Sequence, residues 1–245
     1  MQRYFTEETL IAGEVYVSGS DTHHMKNVMR FREGQAFHMV DRTRTAFLCE
    51  VVDVDDSVHF KVMSKIDESP ELPVEISVFC PLLKGEKFEW MIQKSTELGA
   101  FDFNIFDAER SVVKLDEKKR SKRLTRYEKV IKEAGEQSRR NLIPEIHFAG
   151  TLKDIDFNAF DAVLFAYEGN VNKPAASMNQ VLETLKKNSR IAFVFGPEGG
   201  FSDVETDLMD AYHSVRLGAR ILRAETAPLY ALAAISYRFE QPATR

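Results

Sequence analysis

The stretch FGPEGGFSDVE, residues 195–205, is the part of the chain from which the fold is best predicted. It follows the apolar run Ile191–Phe195, whose composition is typical of a buried parallel strand. Ser202 and Glu205 have the S-x-x-E spacing of a capping box, which predicts a helix start. The glycines between strand and helix let a ligand approach the backbone, and ligands of open parallel sheets bind beyond the carboxyl ends of strands. A tight connection that needs positive φ is the alternative explanation.

The composition of this loop narrows the kind of ligand. The chain has neither G-x-G-x-x-G after a strand nor G-x-x-x-x-G-K-[ST], the two common nucleotide-binding loops. The loop contains one acid, Glu198, and no lysine, which disfavours a phosphate group. We therefore expect a neutral or cationic ligand, such as a sulfonium. The missing motif also argues against a dehydrogenase with a nucleotide fold.

Two further segments follow predicted strands. They are FAYEG at 165–169 and LGARILRAETA at 217–227, the latter joining a short strand to the last helix. In the second segment, Arg223 and Glu225 form either part of a site or a surface ion pair beside a helix start. Three loops at the carboxyl ends of strands in one sheet predict a shared pocket.

Strands and helices alternate from residue 74 onward. Apolar runs predict strands at 74–83, 101–106, 162–167 and 191–195, and periodic patterns predict helices at 86–98, 121–138, 179–187, 203–212 and 226–239. Gly99 suits the position after a helix end, and Trp90 is expected in the core. This alternation predicts an α/β domain with a mostly parallel sheet.

The first 70 residues carry a different pattern. Strand-type composition at 14–17, 35–40, 46–54 and 58–66 predicts a small β-barrel-like module, with a short helix at 21–30. Asp21 is the expected N-cap of that helix. The segment ESPELP, residues 68–73, contains two prolines and is the best boundary. We therefore divide the chain into domains 1–70 and 74–245.

Charge is distributed unevenly along the 245 residues. The net charge of −5, taken alone, argues against nucleic acid as a partner. Residues 110–140, however, contain twelve Lys/Arg and five acids, a net charge of +7 that leaves −12 for the remainder. A basic strip on an acidic protein predicts a polyanion-binding surface, with a solvated helix face as the alternative.

Cysteine usage and apolar content exclude several classes of protein. Cys49 and Cys80 are too few for a disulfide framework and have no partner at metal-ligand spacing, so we expect buried thiols and no metal. No apolar run approaches the roughly 20 residues of a membrane helix, and the first residues contain no signal-peptide core. We therefore expect a cytoplasmic protein with no membrane partner.

Several motifs, in order along the chain, resemble one known family. They are RYF at 3–5, HHMKNVMRFREGQ at 23–35, KGEKFEWMIQKSTELG at 84–99, EAGEQSRRNLIPEI at 133–146, AYEG at 166–169, GPEGGFS at 196–202 and LGARILRAETA at 217–227. Together they resemble the bacterial ribosomal small-subunit RNA (uracil-N3)-methyltransferases of the SPOUT superfamily, over essentially the whole chain. Ala224 departs from a more usual Thr, and Arg139 stands where Gly is common.

The resemblance implies a fold, an activity and a cofactor site. Residues 1–70 would form a PUA-like RNA-binding β-barrel, and the α/β domain would carry a trefoil knot roughly within 160–240 and form a homodimer. The activity would be methylation of N3 of a uridine in small-subunit (16S) ribosomal RNA with S-adenosylmethionine. The residues around the cofactor would be Phe165, Tyr167, Glu168, Gly196, Pro197, Gly199, Gly200, Leu217, Gly218, Ile221 and Leu222.

The chemistry of this reaction suggests roles for further residues. Uracil N3 must lose a proton before it is a good nucleophile, so Glu198 or Glu225 is expected to accept that proton. Glu198 has the alternative of binding its own loop's amides. Arg223 is expected to stabilise charge on the uracil oxygens. RNA contacts are predicted for Arg3, His24, Arg30, Arg32, Lys84, Arg110, Lys114, Arg139 and Arg140.

Two other functions stay open. A methyltransferase of the same superfamily that modifies a ribose 2′-hydroxyl or another base nitrogen would have similar strand-end loops. A non-catalytic RNA-binding factor in ribosome assembly would bind RNA without affinity for S-adenosylmethionine. The glycine loop and the Arg223–Glu225 segment favour an enzyme, and the first domain and residues 133–140 favour uracil N3.

Overall fold

The computed structural model describes residues 1–113, 115–167 and 178–240. The chain forms two compact units. The first consists of Met1–Glu71 with Gly135–Leu142, and the second of Leu72–Ala134 with Ile143–Arg245. The sequence pattern did not predict that Gly135–Leu142 belongs to the first unit.

The first unit is built on a five-stranded sheet. Its strands are β1 (Arg3–Phe5), β2 (Val15–Val17), β3 (Ala36–Val40), β4 (Ala46–Val54) and β5 (Val58–Ile66). Their order is β1-β3-β4-β5-β2, with β1 parallel to β3 and the other pairs antiparallel. The four strands predicted from composition are confirmed. β1 was missed because three residues are too few to show a period.

Aromatic side chains fill the core of this unit. The rings of Phe37 and Phe60 meet edge to face with centroids 5.4 Å apart, and Tyr4 meets Phe37 at 6.0 Å. Each such pair contributes roughly 0.5–1.5 kcal/mol beyond simple burial. Cys49 lies in the same core, where burial raises the pKa of its thiol to about 12. The thiol therefore stays protonated and unreactive at neutral pH.

The short helix predicted at 21–30 is a π-helical turn, His24–Val28. Its characteristic bond runs from the Met29 amide to the His24 carbonyl, five residues back. Thr22 and His23 are already helical before this turn, and the Met25 amide donates to the Asp21 carbonyl, so the helix begins directly after the predicted N-cap, Asp21. Met25 is buried but Val28, three residues later, is exposed, because a π turn does not keep the 3.6-residue period of an amphipathic α-helix.

The second unit is built on a six-stranded parallel sheet. Its strands are β6 (Glu75–Cys80), β7 (Asp102–Ile105), β8 (Glu145–Phe148), β9 (Ala162–Ala166), β10 (Arg190–Phe195) and β11 (His213–Val215). Their order is β11-β9-β10-β6-β7-β8, and every neighbouring pair is parallel. The predicted α/β class with a mostly parallel sheet is confirmed.

Helices connect these strands. They are α1 (Lys87–Glu97), α2 (Glu117–Gln137), α3 (Met178–Thr184), α4 (Asp203–Leu208) and α5 (Ala227–Glu240), with short 3-10 turns at Leu152–Asp154 and Phe157–Ala159. All five predicted helices are present. Their ends differ most for α2, which begins before residue 121, and for α4, which ends before residue 212. Gly99 has a φ of +94° after α1, as its position predicted.

Apolar side chains cover both faces of the parallel sheet. Along β10, Phe193 and Phe195 face a core with α1 and α5, whereas Ala192 and Val194 face a second core with Phe157. Trp90 is exposed, so its predicted core position is wrong. It lies on the outer side of α1, whose inner side is formed by residues such as Phe88.

The chain between β9 and α3 includes residues 168–177, which are outside the described residues. The knot predicted within 160–240 therefore stays a prediction. Among the residues that are described, no helix is both long enough and apolar enough to cross a membrane.

Candidate active site

The parallel strand order brings three loops to one edge of the second unit's sheet. β9 stands between β10 and β11, so the residues after these strands lie side by side at their carboxyl ends. Tyr167 follows β9, residues 196–202 follow β10, and residues 216–226 follow β11. Together with Lys87 of α1, they enclose a cavity of about 580 Å³. This volume is within the range of small-molecule sites.

Most of the residues predicted to surround a cofactor line this cavity. They are Tyr167, Gly196, Pro197, Gly200, Leu217, Ile221 and Leu222. Phe165, Gly199 and Gly218 are not among the lining residues, and Glu168 lies outside the described part of the chain. Lining residues that the sequence did not single out are Lys87, Ala166, Phe195, Phe201, Val215, Ala224 and Ala227. All of these except Lys87 stand within two positions of a predicted residue.

Phe165 packs behind two residues of the cavity wall. It is buried, and its ring centroid lies 4.4 Å from that of Phe201 and 5.4 Å from that of Tyr167. The ring of Phe165 therefore packs against Tyr167 and Phe201, and the cofactor contact predicted for this residue stays a prediction.

The loop glycines are required by packing and by backbone conformation. A Cβ atom on Gly196 would lie 2.7 Å from the ring of Phe201, and one on Gly199 would lie 3.1 Å from the carbonyl oxygen of Arg110. Gly200 has a φ of +69°, in the left-handed region that favours glycine. Close packing of the loop on its supports therefore explains Gly196 and Gly199, and the positive φ predicted as the alternative explains Gly200.

Two residues after β7 hold this loop and the start of α4. Arg110 donates from Nη1 to the carbonyl oxygen of Phe201 at 2.8 Å, and the Glu109 amide donates to Glu205 Oε1 at 3.0 Å. The other oxygen, Glu205 Oε2, accepts from the Ser202 amide at 2.9 Å, and Ser202 Oγ accepts from the Glu205 amide at 3.2 Å. The predicted capping box is confirmed, with one of its carboxylate oxygens also tied to Glu109.

Four charged side chains line one part of the cavity: Lys87, Glu198, Arg223 and Glu225. Lys87 Nζ lies 3.4 Å from Glu225 Oε1 and 3.8 Å from Glu198 Oε1. Arg223 Nη1 lies 4.0 Å from Glu225 Oε1, and its side chain is 80% exposed. The structure thus brings the three predicted catalytic residues together. Lys87 was not predicted because no local pattern connects a helix residue with loops more than 100 positions away.

The two glutamates have different environments. Glu225 is 9% exposed, and its Oε2 atom is buried without a hydrogen-bond partner among the described residues. An unpaired buried acceptor costs about 1–3 kcal/mol, so a ligand that donates a hydrogen bond there is favoured. The recorded contact of Glu198 is the ion pair with Lys87. Within the described part of the chain, no amide of its own loop donates to Glu198, which was the alternative role.

Four predicted RNA-binding residues of the first unit are accessible. Arg30, Arg32 and Arg139 are exposed, and the exposed His24 places Nδ1 3.1 Å from the Tyr4 hydroxyl. Arg139 lies, with Phe31 and polar side chains, at a cavity of about 390 Å³. Its φ of +60° lies in the left-handed region, which is unusual for a residue other than glycine.

Arg3 and Arg140 instead hold Gly135–Leu142 in the first unit. Their residues are 5% and 4% exposed. Arg3 donates to the Arg139 carbonyl and the Asn141 side chain. Arg140 Nε donates to Glu71 Oε2 at 3.1 Å. Burial leaves neither guanidinium open to a phosphate, which corrects the prediction that these two residues contact RNA.

The predicted RNA-binding residues of the second unit differ from one another in their exposure and in their contacts. Lys84 is exposed, Arg110 is exposed but donates a hydrogen bond to Phe201, and Lys114 lies outside the described residues.

No cluster of three or more possible metal ligands is present in the ranges that the structure describes. Cys80 is buried, and burial raises the pKa of its thiol.

Comparison with protein families defines the class of protein. The model described as an RNA methyltransferase domain matches residues 70–236, and the model described as an RNA methyltransferase PUA domain matches residues 17–63. A β-rich unit of PUA type, joined to a parallel α/β unit with a cavity at its strand ends, is therefore the architecture of an RNA methyltransferase.

Individual relatives narrow this class. Ribosomal RNA small subunit methyltransferase E of Bacillus subtilis (strain 168) is 41% identical, over 98% of this chain and 98% of that protein. The chain belongs to the family of ribosomal RNA small subunit methyltransferase E. A structure of the Neisseria gonorrhoeae member bound to S-adenosyl methionine is 25% identical, covers 98% of each chain and superposes with a TM-score of 0.83. A putative methyltransferase from Legionella pneumophila, in complex with the same cofactor, is 25% identical with a TM-score of 0.81, over 96% of this chain and 97% of that one.

Proposed function

We propose that this protein transfers a methyl group from S-adenosylmethionine to N3 of a uridine in small-subunit (16S) ribosomal RNA. The observation that carries the proposal is the cavity in which three strand-end loops meet two carboxylates and two cations. It is supported by the names of the relatives and by the cofactor bound in two of the similar structures. The N3 position rests on the resemblance of the sequence motifs.

The cavity suits S-adenosylmethionine in size and in chemistry. Val215, Leu217 and Leu222 provide an apolar wall for a nucleoside, and the loop 196–200 has no lysine, which suits a ligand without phosphate. The carboxylates of Glu198 and Glu225 in the wall suit a ligand that carries positive charge. When bound, the cofactor supplies an electrophilic methyl carbon: its sulfur keeps the electron pair of the bond that breaks, and the accepting nitrogen provides the pair of the new bond.

The protein's own residues handle the proton and the charge of the target base. Uracil N3 carries a proton at neutral pH, and a carboxylate at the cavity wall is a suitable acceptor for it. Glu198 and Glu225 are the two candidates. Arg223, whose guanidinium is exposed beside them, stabilises negative charge on the uracil oxygens as the proton leaves.

RNA binding is assigned to the first unit and to the surface around the cavity. Arg30, Arg32, Arg139 and His24 are the accessible candidates in the first unit. Lys84 and Arg110 are candidates in the second. Phosphate contacts of this kind provide affinity that falls as salt rises, without reading sequence.

A homodimer is part of the proposal. Tyr230 and Tyr237 of α5 are exposed, and aromatic residues are enriched at protein interfaces. Sedimentation equilibrium at micromolar concentration tests this: twice the monomer mass is expected, and the monomer mass would contradict it. Because the substrate is ribosomal RNA, the cytoplasm is the expected compartment.

Identification of the methylated nucleoside tests the activity. Purified protein is incubated with labelled cofactor and small ribosomal subunits, with protein-free 16S RNA, or with large-subunit RNA as the control. Mass spectrometry of the digested RNA is expected to show N3-methyluridine from the small-subunit substrates alone. A ribose-methylated nucleoside or another methylated base would identify a different target. RNA binding without cofactor affinity would identify an assembly factor instead.

A further inference from the structure

Lys87 holds a position in the cavity that the proposed function leaves unexplained. It belongs to α1, yet its Nζ lies between two carboxylates of the strand-end loops, 3.4 Å from Glu225 Oε1 and 3.8 Å from Glu198 Oε1. The positive charge of Lys87 lowers the repulsion between the two carboxylates. It also holds the side chain of Glu225, which is the nearer of the two.

The two oxygens of Glu225 are used differently. Oε1 faces Lys87 of α1 and Arg223 of its own segment. Oε2 is buried and has no hydrogen-bond partner among the described residues. Oε1 is engaged by two cations, whereas Oε2 of this cavity-lining residue has no partner among the described residues. Glu198, on the other side of Lys87, is the remaining charged residue of the wall.

Burial distinguishes Glu225 from Glu198 as a proton acceptor. The Glu225 side chain is 12% exposed, against 30% for Glu198. A new hydrogen bond stabilises a shielded carboxylate with an unpaired oxygen, such as Glu225, more than it stabilises a solvated one, such as Glu198. The reason is that water already donates hydrogen bonds to the exposed carboxylate.

We propose that Lys87 is a positioning residue that holds Glu225 so that Oε2 accepts the N3 proton of the target uracil. This inference rests on the proposed function. It specifies which glutamate accepts the proton and which residue orients that glutamate. The proton moves from N3 to Oε2, and the electron pair left on N3 forms the bond to the methyl carbon. Glu198 is the second partner of Lys87 and does not take the proton.

The test uses the full-length protein with Lys87→Met, Lys87→Arg, Glu225→Gln and the double variant Lys87→Met/Glu225→Gln. Lys94→Met is the matched control, because Lys94 lies on the same helix with a side-chain exposure of 38%, against 40% for Lys87. Its partner is Glu97 at 2.7 Å, away from the cavity wall. Each variant is measured for kcat and KM with small ribosomal subunits, cofactor affinity and thermal unfolding.

Lys87→Met is expected to lower kcat by about 10-fold to 100-fold, the loss typical of a misplaced reacting group. Its KM and cofactor affinity should stay within about twofold of wild type, since ground-state binding is retained. Lys87→Arg should recover most of the activity because it keeps the charge. In the Glu225→Gln background, Lys87→Met should have no further effect, since the residue through which it acts is already removed.

Three results would overturn this role. The first is a kcat of Lys87→Met equal to that of wild type. The second is a kcat of Lys87→Arg as low as that of Lys87→Met. The third is a full further decrease in kcat when Lys87→Met is added to Glu225→Gln. The wild-type protein is assayed first. Failure of wild type to bind cofactor or to methylate small-subunit RNA would count against the proposed function, and is therefore distinguishable from a failure of the role of Lys87.

Discussion

The guanidinium of Arg110 donates a hydrogen bond of 2.8 Å to the main-chain carbonyl of Phe201. The ring of Phe201 in turn fills the space next to Gly196 that a side chain there would occupy. The glycine loop is thus held at its end by a side chain from the segment after β7. A residue that sequence reasoning assigned to RNA therefore shapes the wall of the cavity.

Arg110→Ala is expected to lower the affinity for S-adenosylmethionine about fivefold. Loss of one such hydrogen bond costs about 1 kcal/mol, which corresponds to that factor in a dissociation constant. Titration calorimetry measures it, with Arg126→Ala as the control, because Arg126 is exposed on α2 and pairs with Glu89. If Arg110 acts only on RNA, cofactor affinity will be unchanged and RNA affinity alone will fall.

Gly196→Ala is expected to destabilise the second unit by about 2 kcal/mol, the usual cost of overpacking. The reason is the 2.7 Å approach of the new methyl group to the Phe201 ring. Urea unfolding measures the effect, and Phe201→Leu as a background should reduce it by making space. Gly19→Ala is the control, since a Cβ there meets nothing within 4 Å. An equal cost in both backgrounds would show that the ring is not the cause.

Glu71→Gln is expected to destabilise the first unit by about 3 kcal/mol, because it removes a carboxylate charge that pairs with the buried guanidinium of Arg140 and accepts a hydrogen bond from the Asn141 amide. Removing one member of a buried ion pair is costly even where the intact pair contributes little. Glu68→Gln, an exposed neighbour, serves as the control in urea unfolding. Loss of no more than about 0.5 kcal/mol, as for a surface substitution, would contradict the structural role of this pair.

The stability of the first unit is expected to depend on Asp41 in acid. Burial alone would raise the pKa of this carboxyl, but hydrogen bonds from Thr43, Thr45 and Leu10 outweigh it and hold the pKa below its usual value. A depressed native pKa stabilises the fold above the unfolded-state value of about 3.9, and the contribution is lost as pH falls through the native pKa.

Asp41→Asn should therefore be less stable than wild type at pH 7, and the difference should shrink as the pH falls below about 4. Urea unfolding across this range measures the difference. Asp56→Asn, at an exposed position, provides the control. A difference that stays constant with pH would mean that the ionised carboxylate is not what stabilises the turn.

Features that depend on near neighbours could be predicted from the amino-acid sequence. The strand before Gly196, the capping box of Ser202 and Glu205, and the alternation of strands and helices all leave a pattern within a few residues. The meeting of three loops also followed, because parallel strands end at a common edge. Hydrophobic periodicity did not predict the burial of side chains at His24–Val28, because this turn is π-helical and not α-helical.

Contacts between distant residues could not be predicted, because they depend on how the whole chain folds. Lys87 reaches the cavity from α1, Arg110 supports the glycine loop, and Arg140 turns inward to Glu71 instead of outward to RNA. Each of these contacts joins positions at least 69 residues apart. A charged residue has the same local sequence signature whether it faces solvent, a ligand or a buried partner, so its role is set by the packing around it.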